Sequence, residues 1–241
     1  MNPYSRTQLL LGQAGMEKLK NARVAVFGLG GVGGYVVEAL ARSGVGCLEL
    51  IDHDTISLSN LNRQILATQD TIGKAKAEVA AQRVASINPD IQVVAHSRFY
   101  GPDTAPEFDF SQYSYVVDAI DTVTGKLALI KAAQEANVPI ISSMGTGNKL
   151  DPTAFQIGDI YETSVCPLAR IMRKECRRRG IKKLKVLYSL EEPIFPQIDP
   201  NDPILQELPE GRNALPGSIA FVPAAAGLII AGEVIKDIAL R

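Results

Sequence analysis

The sequence contains only three cysteines, Cys47, Cys166 and Cys176, and no C-x-x-C pair. Three scattered thiols cannot supply the four thiolates of a tetrahedral structural zinc site. Their odd number, with no N-terminal stretch that reads as a signal peptide, makes a reducing cytoplasm the expected compartment. Neither sign of charge dominates, with 25 Lys+Arg against 26 Asp+Glu and a formal net charge of −1. The chain as a whole therefore shows no preference for nucleic acid or membrane, and any such preference must come from local clustering. Long apolar runs are also missing. The longest, Gly217 to Gly232, is interrupted by Pro223 and stopped by Glu233. It falls short of the roughly 20 residues that a bilayer span needs. It reads as a buried strand followed by a core helix, with an interfacial membrane helix as the alternative. No stable membrane insertion is expected.

What is present suits one large α/β domain over residues 1–241: 46% hydrophobic and 21% charged residues in a chain of 241. Residues 1–22 form an arm whose 4–20 stretch reads as an amphipathic helix. Strands are expected at Arg23–Phe27, Leu48–Ile51, Ile91–Ala95, Tyr115–Ile120 and from Pro139 to Ser142. Helices are expected at Val32–Arg42, Lys74–Ser86 and Lys126–Ala136. Strands alternating with helices imply a doubly wound, Rossmann-like, mostly parallel sheet with ligands at the strand C-termini. Past Gly145 the pattern changes to a C-terminal elaboration of mixed strands, Phe155–Tyr161 and Val186–Ser189, flanking one basic helix. The Pro-rich stretch 193–216 predicts an irregular crossing loop. Ser218–Val222 and Ala224–Ile238 then read as strand and helix.

The chemistry concentrates between Gly28 and Gln64. Gly28, Gly30 and Gly33 satisfy G-x-G-x-x-G directly after a strand, and with Gly31 they let phosphates approach backbone amides and a helix N-terminus. Asp52 ends the second strand, where an acidic side chain accepts hydrogen bonds from ribose hydroxyls. That pattern alone is equally an ordinary dinucleotide fold. Asn60, Arg63 and Gln64, with Lys76 early in the next helix, shift the balance. Arg and Lys beside a phosphate pocket suit the charge that develops when a phosphoryl group is attacked and pyrophosphate leaves. Asp121 could hold Mg²⁺, which needs only one or two carboxylates when bound to a triphosphate. Singly, Arg63 also reads as a surface ion pair, Lys76 as a solvated helix charge and Asp121 as a helix N-cap.

Gly-Leu-Gly-Gly-Val-Gly-Gly, Ile-Asp-x-Asp, Asn-Leu-Asn-Arg-Gln, Ile-Gly-Lys-Ala-Lys and Asp-Ala-Ile-Asp together resemble the adenylating superfamily of ubiquitin-activating enzymes. The resemblance implies binding of ATP with Mg²⁺ and transfer of AMP to a carboxylate. It also implies a ribose role for Asp52, phosphate roles for Asn60, Arg63 and Lys76, and a metal role for Asp121. Arg6 matches an N-terminal arginine that in the superfamily reaches the ATP of a neighbouring subunit, which implies a homodimer.

The carboxylate to be activated is addressed by two features. The sulfur-carrier activators of the superfamily usually hold a zinc that these cysteines cannot form. The stretch containing Arg170, Arg173, Lys174, Arg177, Arg178, Arg179, Lys182, Lys183 and Lys185 is broken by a single acid, Glu175. Such a stripe on a nearly neutral protein is the footprint expected for a phosphate backbone, the alternative being a solvated face with ion pairs to acids such as Glu191 and Glu192. Ile171, Met172 and Cys176 are its expected apolar anchor. Together these features resemble the tRNA threonylcarbamoyladenosine dehydratase branch, from Tyr-Ser-Arg-Thr-Gln-Leu-Leu-Leu-Gly to Ser-Val-Cys-Pro-Leu-Ala-Arg. The resemblance implies ATP-dependent activation of the threonyl carboxylate of a tRNA adenosine, then ring closure. Activation of a sulfur-carrier protein, and a nicotinamide oxidoreductase or noncatalytic nucleotide-binding scaffold, remain as other readings, and a sulfur-transfer partner stays open.

Cys166 precedes Pro167 at an expected helix N-terminus, a setting that activates thiols, although an inert anchor is the commoner outcome there. Cys47 and Cys176 read as packing residues. His53, in Asp-His-Asp, reads as solvated, and His96 merely ends a strand.

Overall fold

Arg23–Phe27 (β1) is hydrogen-bonded in parallel to both Cys47–Ile51 (β2) and Tyr115–Asp118 (β4), and this pairing organises the molecule. The computed structural model describes residues 2–195, 199 and 216–241. Its seven-stranded sheet has the order β3-β2-β1-β4-β5-β7-β6, with β3 at Gln92–His96, β5 at Ile140–Ser143, β6 at Phe155–Asp159 and β7 at Lys185–Ser189. All pairs are parallel except β6 with β7, which is antiparallel and closes one edge. The order reverses between β1 and β4, the crevice where open α/β sheets bind ligands. The expected α/β class and mixed C-terminal elaboration are both present.

Alternation along β1 assigns its side chains to two cores. Val24 and Val26 face Gly33–Ser43 (α2), Lys76–Ile87 (α3) and Phe221–Ala239 (α6). Ala25 and Phe27 face Val123–Glu135 (α4) and Pro167–Arg178 (α5). In the second core Phe27 meets the rings of Tyr100, Phe108 and Phe110 at centroid distances of 4.7, 5.7 and 5.9 Å. Ser5–Asn21 (α1) is not one straight helix: Gly12 (φ 70°, ψ 172°) breaks it. Leu9 and Leu10 before the break are exposed, whereas Leu19 beyond it is buried against the first core.

The expected strand at Ser218–Val222 is absent. Residues 216–219 are irregular and helix α6 starts at Phe221. Pro223 lies in its first turn, where the missing N–H has no intrahelical acceptor to lose. The rest of the apolar run is a core helix, as expected. Val222, Ala226, Ile230 and Val234 are buried, the larger of these side chains contributing about 2 kcal/mol each. Among the described residues no helix is long and apolar enough to cross a membrane. Most of the Pro-rich 193–216 stretch lies outside the described residues. Its two flanks are tied to Asn148, which donates to Gly217 O from its N–H (2.8 Å) and accepts Ile194 N–H at its carbonyl (2.8 Å).

Candidate active site

The turn after β1 is built on two steric constraints. Gly28 has φ 88°, and a Cβ there would lie 2.6 Å from Ala119 O on the neighbouring turn. At Gly33 a Cβ would sit 1.7 Å from Gly28 O, so only glycine lets α2 start this close to β1. Asp52 locks the turn from the β2 side. Its Oδ2 accepts Leu29 N–H (2.6 Å) and its Oδ1 accepts Asp54 N–H (2.9 Å). Each oxygen keeps lone-pair capacity for a further donor.

Beyond Asp52 the chain folds back over the strand ends. Ser57 and Asn60 form a capping box around a short 3₁₀ turn, Leu58–Asn60. Arg63 continues that loop, its Nη1 donating to Ser59 O and to Asn62 Oδ1 at 2.9 Å each. Gln64 is buried, and its Oε1 has no hydrogen-bond partner in the protein. An isolated antiparallel bridge between Thr55 and Ala75 brings the start of α3 alongside. Lys76 N–H therefore donates to Asp54 O (3.0 Å), and Lys76 Nζ lies 2.7 Å from Asp54 Oδ2.

These elements enclose a cleft of about 490 Å³ lined by Gly28, Gly30, Gly31, Asp52, Asn60, Arg63, Gln64, Lys76 and Asp121, among others. Every nucleotide-site residue expected from the sequence lines it except Gly33, which packs behind the turn, and Arg6, which is exposed on α1. Asp121 is not the N-cap of α4; Thr122 holds that position. Lys76 is not a solvated charge, since it is only 5% exposed. Asp52, His53 and Asp54 bring ligand atoms within 4.8 Å of one another. Both Asp52 oxygens already accept backbone N–H groups and Asp54 is paired with Lys76, so that cluster is internally compensated.

Several lining residues had no assigned role in the sequence reading: Asp54, Phe99, Tyr100, Thr146 and Ser218. Asp54 was visible in the Ile-Asp-x-Asp motif, but its pairing with Lys76 depends on the Thr55–Ala75 bridge. Burial raises the pKa of Tyr100, with the Asp118 charge adding to the effect. His53 is half-exposed and stacks edge-on to Phe99, with centroids 5.0 Å apart. His96, expected only to end a strand, bonds Glu49 Oε1 at 2.9 Å beneath the sheet end.

The basic segment lies on a different face. Ala169, Met172 and Cys176 bury one side of α5, whereas Ile171, expected in that anchor, is half-exposed. Arg170, Lys174, Arg177, Arg178, Arg179, Lys182 and Lys183 are exposed. Four of the arginines have local partners, Arg177 lying over the Tyr161 ring 5.3 Å from its centroid. Arg173 donates to Thr163 O (2.8 Å), and Arg178 and Arg179 both pair with Glu175. Lys185 leaves the stripe: it sits on β7 and pairs with Glu233 (2.9 Å) and Asp237 (2.6 Å). Glu191 does not neutralise the stripe, because its carboxylate accepts Leu150 and Asp151 N–H. Cys166 is buried at the start of α5, and burial pushes the Cys176 thiol up to about 11.

A glycine turn after β1, an acid ending β2 and an Asn-Arg-Gln loop over the switch point line one cleft, and the ThiF family model matches residues 4–240. The chain belongs to the ThiF family. It is 43% identical over 241 residues to a Bacillus subtilis tRNA threonylcarbamoyladenosine dehydratase, covering 99% of this chain and 95% of that one. The crystal structure of the Escherichia coli tRNA N6-threonylcarbamoyladenosine dehydratase in complex with ATP superposes with a TM-score of 0.87 at 33% identity, covering 98% of this chain and 93% of that chain. An adenylyltransferase and sulfurtransferase of Ogataea parapolymorpha is 35% identical over 150 residues, which cover 60% of this chain and 38% of that protein.

Proposed function

We propose that this chain is an ATP-dependent, AMP-forming dehydratase that cyclises N6-threonylcarbamoyladenosine in tRNA. The observation that carries the reading is the convergence of Arg63, Lys76, Asn60 and Asp121 around one glycine turn in one cleft. Gly28, Gly30 and Gly31 give phosphates access to backbone amides, and Asp52 keeps acceptor capacity for ribose hydroxyls. Gln64 Oε1 offers a buried acceptor to a ligand donor. Arg63 and Lys76 face the charge that builds on the phosphates. A magnesium ion on the triphosphate would be held by Asp121 and would offset charge on the leaving pyrophosphate.

The chemistry balances without a further reactant. A threonyl carboxylate oxygen attacks the α-phosphorus, and the bond to pyrophosphate breaks. The carbamoyl group then attacks the acyl carbon, loses a proton and expels AMP, so the oxygen of the lost water leaves on AMP. Because ring closure is intramolecular, holding the chain near its attack geometry supplies much of the acceleration. Arg6 lies away from its own cleft, on an exposed arm, which supports a homodimer in which each Arg6 serves the partner's nucleotide. The exposed basic residues of α5 and of 182–183 are the tRNA surface, and the cytoplasm is the compartment that suits this substrate. We read residues 1–241 as a single adenylating unit.

The test is incubation with ATP, Mg²⁺ and bulk tRNA, followed by nucleoside mass analysis. Loss of one water from threonylcarbamoyladenosine with stoichiometric AMP is expected. AMP formation that required a sulfur-carrier protein and ignored tRNA would replace this reading with carrier-protein activation.

A further inference from the structure

Directly behind the cleft, two opposite charges are wholly buried. Lys126 and Asp118 are both 0% exposed, with Lys126 Nζ 3.0 Å from each Asp118 oxygen. The same ammonium donates to Ser143 O (2.8 Å) and lies 3.4 Å from Ser142 Oγ. Ser142 Oγ–H in turn donates to Asp118 Oδ2, and Ile120 N–H donates to Oδ1 (3.3 Å). Burial raises the Asp118 pKa, and Lys126 and Ser142 oppose the rise.

The placement of this network matters more than its energy. Asp118 ends β4, and Lys126 lies in the first turn of α4, where its N–H reaches Thr122 O (3.0 Å). Between them run Ala119, Ile120, Asp121 and Thr122, all of which line the nucleotide cleft. The ion pair therefore joins the two ends of the segment that presents Asp121, and Ser142 and Ser143 anchor it to β5. A buried pair of this kind usually stabilises a fold no better than apolar side chains of the same volume, so stability does not account for it. A fixed geometry does.

We propose that Lys126 is a positioning residue for the adenylation step: clamped between Asp118 and Ser143 O, it fixes the β4–α4 turn and thereby the place of Asp121. The inference rests on the ATP-dependent reading above, and it adds a residue that touches no substrate. Sequence reading placed Lys126 only as the start of a helix; its burial against Asp118 is a tertiary fact.

The experiment measures AMP formation with ATP, Mg²⁺ and tRNA for the wild type, Lys126→Met, Lys126→Arg, Ser142→Ala, Asp121→Ala, Lys126→Met with Asp118→Leu, and Lys126→Met with Asp121→Ala. Thermal midpoints and active-site titration accompany each rate. Lys126→Met is expected to lower kcat by about 10²-fold, the scale of a misplaced catalytic group, with a smaller change in KM for ATP. Lys126→Arg should recover part of the loss. The charge-free pair Lys126→Met with Asp118→Leu should restore the thermal midpoint but not kcat. Lys126→Met should cost little more in the Asp121→Ala background, because both act through one group. Ser142→Ala keeps the ion pair and the fold, and is expected to lose several-fold in kcat. Wild-type kcat in the charge-free pair or in Ser142→Ala would overturn the proposal. So would full additivity with Asp121→Ala. An inactive wild type would instead overturn the ATP-dependent reading, so the two failures are distinguishable.

Discussion

Lys76 Nζ lies 2.7 Å from Asp54 Oδ2, so the protein itself supplies a carboxylate partner for this buried cation of the cleft. Asp54 is half-exposed and Lys76 is not, which makes the acid the more easily displaced member of the pair. A triphosphate entering the cleft would compete with Asp54 for the ammonium. Lys76→Ala is expected to lower kcat/KM for ATP by about 10²-fold, the scale seen when one preorganised donor to a developing charge is removed. Asp54→Asn should stay within about tenfold of the wild type, because it removes orientation and not cationic charge. Steady-state AMP formation on both variants checks this, and equal losses would contradict it.

Arg63 Nη1 donates to Ser59 O and Asn62 Oδ1 in its own loop, and the residue lines the cleft. Arg63→Ala and Asp121→Ala are each expected to lower kcat for AMP formation by about 10³-fold, a rate still measurable, while leaving circular dichroism and the thermal midpoint near wild type. Wild-type rates from either variant would remove phosphate and metal handling from these residues.

On α5, Arg173 is held by Thr163, whereas Arg170 and Lys174 are exposed on the outer face. Replacing Arg170 and Lys174 with Gln should weaken tRNA binding. It should also reduce the log–log salt slope by about 1 to 2, close to one released counterion per contacted phosphate. Filter binding across a salt series is the measurement, and an unchanged slope would return the helix to an ordinary solvated face.

Stability should depend on pH through Glu38, which accepts Arg42 Nε (2.7 Å) and both Nε (2.5 Å) and Nη2 (3.1 Å) of Arg83. Burial works to raise its pKa, but Arg83 and Arg42 outweigh it and hold the carboxyl below its ordinary 4.5. A depressed carboxyl contributes stability above that ordinary value and loses it as pH falls through the folded-state pKa. Arg83→Ala should cost about 1 kcal/mol at pH 7, a figure already reduced for the exposure of Arg83. The difference from wild type should shrink as the pH is lowered through that depressed folded-state pKa. Urea unfolding at pH 7 and across an acid series tests the sign; a gap that widened in acid would contradict it.

Much of the site was legible because its motifs are local. The glycine turn, the acid ending β2 and the Asn-Arg-Gln loop each follow a strand within a few residues, so backbone sterics and strand polarity place them on one side of the sheet. The short β-branched run Arg23–Phe27 likewise announced the strand that enters the glycine turn, whereas its burial on both faces is a fact of the packing. The segment Ser218–Val222 misled because a short apolar run has no period of its own, and Pro223 opened a helix there instead.

Chain order and residue chemistry were enough to establish an α/β fold with a cleft at its switch point, and to name Asp52, Asn60, Arg63, Gln64, Lys76 and Asp121 among the side chains that line it. Folding alone decided which charges are paired and which face solvent. Lys76 meets Asp54 through a bridge between distant segments, Lys126 disappears beneath the cleft against Asp118, and Lys185 turns away from its basic neighbours toward α6. A lysine reads identically in sequence whether it is solvated or buried, and only the elements packed around it determine its partner and its role.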